Sequence, residues 1–171
     1  SAGGGGAPVL AYLFTLRRAR HPLQHTWSRY FAGCRAGSYR LHIHVDPTIN
    51  ATMAAHLSEA GPGAKYFNRA NTIPSDQLIK VHRFGFSLVQ ARMKLLRHAM
   101  GPGAEGRAAP LFYTYVAESC APIASCATVH SHLARSAREP SPRSYIGELP
   151  YTLFAQWMAK NIATAEWAHE F

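Results

Sequence analysis

The run VLAYLFTL at residues 9–16 limits the folds open to this chain more than any other stretch. It carries no charged residue, so a strand made from it presents largely apolar side chains to both faces of a sheet. A strand of that kind belongs in a parallel sheet with helices over each face. The run is too short to cross a bilayer, and nowhere does the chain hold the ~18 consecutive apolar residues that a membrane helix needs.

The sequence that follows alternates as such a sheet requires. HPLQHTWSRYFAG (21–33) spaces Leu23, Trp27, Tyr30 and Phe31 as a helix does and closes at Gly33. YRLHIHV (39–45) reads as a second strand, and LIKV (78–81), after a stretch rich in Ala, Gly, Pro and Asn, as a short further one. FSLVQARMKLLRHAM (86–100) is the clearest helix, stopped by the GPG at 101–103. Its stripe of Phe86, Val89, Met93, Leu96 and Met100 is expected to face the core, with Gln90, Lys94 and Arg97 off it. PLFYTYVAESC (110–120) gives an aromatic-rich strand and APIASCATVHSHLARSA (121–137) the next helix. LPYTLFAQW (149–157) and MAKNIATAEWAHEF (158–171) read as a last strand and helix, and residues 1–8 as a Gly-rich flexible linker. The expected class is α/β, a mostly parallel sheet flanked by helices.

Charge and cysteine content add weaker constraints. The 18 Lys and Arg against 9 Asp and Glu give a net charge of +9, scattered except for RRAR at 17–20. Such a balance suits a phosphate-bearing partner, whether nucleic acid, nucleotide or anionic membrane. Cys34, Cys120 and Cys126, odd in number and irregular in spacing, argue against a complete disulfide framework. Cys120 and Cys126 either pair or, as expected here, stay reduced in the core. Asn50 opens a glycosylation sequon, Asn-Ala-Thr.

Open α/β sheets bind ligands at the carboxyl ends of their strands. Asp46 sits at one such end and Glu118, Ser119 and Cys120 at another. His42, His44 and Asp46 share a strand face, an imaginable metal set, but three successive ligands on one extended strand seldom converge on an ion. Two readings of Asp46 remain open. It holds a ribose or base by accepting from hydroxyl or ring N–H groups, or it shapes a strand-end turn before Pro47. AESCAP with a histidine such as His130 admits a nucleophilic cysteine, yet nothing in the sequence places a base beside it. Gly-x-Gly-x-x-Gly after the first strand, a P-loop and Asp-x-Asp are all missing, which counts against nicotinamide enzymes, P-loop NTPases and many metal-dependent sugar transferases.

Taken in order, AYLFTL, LHIHVD, FGFSLVQARMKLLRHAM, FYTYVAESCAPI and LFAQWMAKNIA resemble motifs of the core-2/I-branching β-1,6-N-acetylglucosaminyltransferases in their plant-like branch. The resemblance covers about residues 10–168. It implies a GT-A-like fold, a UDP-sugar donor, a glycan or glycoprotein acceptor, inversion at the anomeric carbon and no metal cofactor. It puts Asp46, with His44 and Thr15, in the donor-nucleotide pocket, and Glu118, Ser119, Cys120, Gln156 and Trp157 along the sugar and acceptor cleft. The family's general-base glutamate and its diphosphate-neutralising basic residues are expected beyond Phe171, so residues 9–171 correspond to the donor-side part of the domain. Ala117 and Ala155 depart from the family's serine and Gly-Ser. The resemblance further implies a type II membrane protein of the Golgi lumen, anchored upstream of Ser1, with no nucleic-acid partner. The alternatives are a non-catalytic nucleotide- or glycan-binding module and, third, a basic nucleic-acid-binding domain.

Overall fold

A computed structural model describes residues 8–17, 21–49, 65–82, 85–101 and 110–138. Three strands, β1 (Leu10–Leu16), β2 (Tyr39–Val45) and β3 (Phe112–Ala117), form a parallel sheet in the order β2-β1-β3. Leu10 lies opposite Tyr39 and Phe112, and Thr15 opposite His44 and Ala117. Every residue of β1 is buried, as its unbroken apolar run anticipates. The expectation of a parallel α/β sheet therefore holds for these residues.

Successive β1 side chains enter different cores, as the twofold period of a strand dictates. Leu10, Tyr12, Phe14 and Leu16 join Trp27, Tyr30 and Phe31 of helix α1 (Gln24–Ala32), together with Tyr66, Phe67 and Cys126. Phe31 stacks on Trp27 and Tyr39, but most ring pairs in this cluster meet edge to face: Phe14 and Trp27 lie 5.1 Å apart at 89°, Tyr12 and Phe31 5.1 Å apart at 83°. That is the geometry aromatic quadrupoles favour. Two of the phenols inside it satisfy each other, Tyr12 to Tyr30 at 2.6 Å. Ala11 and Leu13 enter the opposite core with Ile73, Leu95 and Ala99. The sheet thus has α1 and helix α3 (Cys126–Ser136), through Val129 and Leu133, on one face and helix α2 (Phe86–Met100) on the other. Ser125 fixes the start of α3 by accepting the Thr128 N–H on its side chain, so the helix begins later than residue 121.

Three expectations are corrected. First, α2 turns Ala91, Leu95 and Ala99 inward; of the expected stripe Leu96 packs beside them, while Phe86 is 73% and Met100 63% exposed and Val89 and Met93 also face outward. Small residues win this interface because they let the helix backbone approach Ala11 and Leu13 closely. Second, residues 78–81 do not form a strand. Third, Cys126 pairs with Cys34, across a sequence separation of 92, and Cys120 is the free, exposed thiol. Closing so long a loop contributes about 4–5 kcal/mol on the chain-entropy account.

By contacts the chain divides into Ser1–Glu139 and Pro140–Phe171, and all the described residues belong to the first unit. The linker up to residue 7, the strand and helix expected after residue 148, Asn50, Gln156 and Trp157 lie outside the described residues. No helix among the described residues is long and apolar enough to cross a membrane.

The inverted α2 face makes a direct prediction. Ala99→Leu, at a position 2% exposed, should lower stability by about 1–3 kcal/mol through overpacking. Met93→Ser should change it by less than ~0.5 kcal/mol. Urea midpoints of the two variants check this, and the reverse order would restore the originally expected face.

Candidate functional site at the strand ends

β2 places His42 and His44 on the face under α2, where the His42 ring meets His98 edge to face at 5.4 Å. His44 is fully buried. Its Nε2 accepts the N–H of Ile79 at 3.1 Å, which leaves the proton on Nδ1, a buried atom with no hydrogen-bond partner among the described residues. Asp46 follows at the strand's end and is 6% exposed. Its Oδ1 accepts both the N–H (2.9 Å) and the hydroxyl (2.6 Å) of Thr48, and its Oδ2 accepts the N–H of Val81 at 2.9 Å.

These contacts explain why residues 78–81 are not a strand. An extended segment aims every second N–H to one side, here those of Ile79 and Val81. His44 and Asp46, also two residues apart, present acceptors with the same period. Two side chains thereby stand in for the carbonyls of a neighbouring strand. Among the described residues the only ladder-like contact to this region lies just before it, where Ile73 N–H reaches Ile43 O at 2.9 Å and Thr72 bridges Ile43 in parallel. His42, His44 and Asp46 do not gather around a common point; among the described residues they form no metal-ligand cluster.

Burial tends to raise the Asp46 carboxyl pKa, but the Thr48 and Val81 hydrogen bonds outweigh it and hold the group below the ordinary carboxylate range. Burial pushes His42 down to about 4, with His98 and Arg40 adding like charge. Burial does the same to His44, also to about 4, with Lys94 assisting and Asp46 opposing.

At the other strand ends the Arg17 N–H donates to Glu118 Oε1, tying the exit of β1 to the exit of β3. Glu118 also acts on His21, whose pKa burial lowers and Glu118 partly restores. His21 is 2% exposed, accepts the Leu23 N–H on Nδ1 at 2.9 Å, and keeps its Nε2 buried without a partner among the described residues. Sequence reading passed over it, since a histidine at a helix entry carries no motif. Ser119 and Cys120 are exposed beside Glu118. The Cys120 carbonyl accepts the Trp27 indole N–H at 2.9 Å, so α1 fixes this loop. Thr15, buried at the end of β1, lies between His44 and Ala117 in register. Thr15, His44, Asp46, Glu118, Ser119 and Cys120 therefore share the carboxyl edge of one sheet. His130 does not serve Cys120; it sits with Cys34 and Cys126.

No family model, no curated protein and no solved structure matches this chain.

Two measurements follow from the geometry. Asp46→Ala leaves the Val81 N–H buried without its acceptor, a loss of about 1–3 kcal/mol, whereas Asp46→Asn, which retains an acceptor, should lose less; denaturant midpoints at neutral pH separate them. The histidines give a pH dependence. Their folded pKa values lie below the ordinary 6.5, so between pH 6.5 and about 4 the unfolded chain binds more protons and stability falls as pH falls. The loss by pH 4 should be on the order of a few kcal/mol, and His42→Phe should flatten that slope in thermal scans taken across the window.

Proposed function

We propose that this chain is the donor-binding part of an inverting glycosyltransferase of the branching N-acetylglucosaminyltransferase type. It takes a UDP-sugar at the carboxyl edge of the sheet, for transfer to a glycan hydroxyl. The observation that carries the reading is the meeting of Thr15, Asp46, Glu118 and Ser119 at adjacent parallel strand ends, where open α/β sheets bind nucleotides. The ordered motif resemblance supplies the family. Asp46 stays ionised at neutral pH and offers about four lone-pair sites, as any carboxylate does, of which Thr48 and Val81 take three. The remaining one suits a uracil N–H or a ribose hydroxyl. Asp46 thus combines both sequence readings, since the hydrogen bonds that shape the turn also aim the carboxylate.

Exposed Ser119 and half-buried Glu118 stand where the sugar and diphosphate would continue from the nucleoside. On this reading the acceptor hydroxyl is deprotonated by a general base that lies outside these residues. The chain alone then binds donor without turning it over.

Calorimetric titration with UDP and UDP-N-acetylglucosamine tests the proposal. Saturable one-to-one UDP binding is expected, weakened at least tenfold (about 1.4 kcal/mol) in Thr15→Val and Asp46→Asn samples shown by thermal scans to be folded. Absence of saturable binding at millimolar UDP would sink the reading. Saturable UDP binding that is lost in Asp46→Ala, without transfer even by the complete gene product, would favour the non-catalytic binding module.

A further inference from the structure

The disulfide has a third member. The sulfurs of Cys34 and Cys126 and a ring nitrogen of His130 all lie within 4.8 Å of one another. Cys126 and His130 stand one turn apart on α3, spaced i and i+4 on the same helix face. Cys34 follows Gly33, the residue that caps the end of α1. Both helices pack into the same core, where Phe31, Val129 and Leu133 meet, so the fold itself brings the three side chains together.

His130 is what the disulfide does not explain. Among the described residues neither of its buried ring nitrogens makes a full hydrogen bond, the Pro8 backbone being the polar group that acts on the ring, and a buried imidazole calls for a good partner. The oxidised sulfurs are poor partners because neither carries a proton or a charge. Reduced, the same sulfurs become two thiolates beside a neutral imidazole, a soft donor set suited to Zn2+.

We infer that Cys34, Cys126 and His130 form a redox-gated metal site, closed as a disulfide when oxidised and open to a soft divalent cation such as Zn2+ when reduced. Tetrahedral zinc holds sulfur at ~2.3 Å and nitrogen at ~2.0 Å, so its donors lie roughly 3.5–3.8 Å apart. The Cα atoms of Cys34 and Cys126 are 5.2 Å apart, close enough for the sulfurs to separate by side-chain rotation alone. Among the described residues no fourth ligand joins the cluster, so water completes the coordination.

The chemistry balances with an external dithiol as reductant. Its thiolate attacks Cys34 Sγ, the more accessible sulfur since Cys126 is 3% exposed, and Cys126 leaves as the thiolate. The dithiol's second sulfur then displaces Cys34, so that two electrons pass to the protein and the dithiol ends as its own disulfide. Metal binding leaves both sulfurs as thiolates, their protons released to solvent.

The test uses the full chain carrying Cys120→Ser, so that the only thiols are those of the site, with Co2+ as the spectroscopic probe and Zn2+ as competitor. The oxidised protein should show no sulfur-to-cobalt charge-transfer absorption. After reduction by a phosphine without oxygen, one equivalent of Co2+ should produce that band and one equivalent of Zn2+ should abolish it. His130→Gln should weaken Zn2+ binding at least tenfold. A reduced protein that stays folded by circular dichroism but gives no band overturns the inference, as does wild-type affinity in His130→Gln. Should reduction unfold the chain, refolding on Zn2+ addition supports the site and failure to refold overturns it.

Discussion

Everything described here leans on the burial of β1. Both its edges are paired and both its faces are covered, so each neighbouring element takes its place by what β1 presents to it. Tyr12 and Phe14 offer large rings to one side and receive an aromatic cluster. Ala11 and Leu13 offer a shallow surface to the other and receive a helix lined with alanine. Each fully buried large side chain contributes about 1.5–3 kcal/mol, and β1 supplies several of them within a single strand. The two faces are then secured differently. Rings and a covalent bond hold α1 and α3, while close approach of small residues holds α2.

The strand ends inherit their geometry from this arrangement. β2 hands its side-chain acceptors to residues 79 and 81 with the same period that a strand's carbonyls would have, and so positions a connecting segment without extending the sheet. The arrangement depends on neutral imidazoles. His44 has to keep an unprotonated Nε2 to accept from Ile79, and burial with Lys94 nearby keeps it so. The carboxyl edge of the sheet is in that sense built by ionisation states as much as by packing.

Much of the frame was legible in the residues themselves. An uncharged apolar run and a twofold alternation located the strands to within a few residues, because those patterns report burial on two faces or one. What escaped was information that depends on a partner. Hydropathy ranks Met93 above Ala91 as a core residue, but the sheet surface opposite is made of Ala11 and Leu13, and contact distance chose alanine. The Cys34–Cys126 bond spans 92 positions, far outside any local window, and the sequence linked His130 with the Cys120 segment instead. Asp46 could be read as ligand holder or turn former, and only the location of Val81 shows how far its oxygens are already engaged.

The register of β1 with β3 has a temporal side. Leu10 pairs with Phe112, and a ribosome adding about 5–20 residues per second needs roughly 5–20 s to make the intervening chain. Through that interval β1 has at most its β2 edge partnered and only part of its cover in place. Its alternating rings and aliphatic groups are the kind of segment that invites contact with other nascent chains. The strand that is driest in the finished sheet is thus the one whose apolar side chains wait longest for cover.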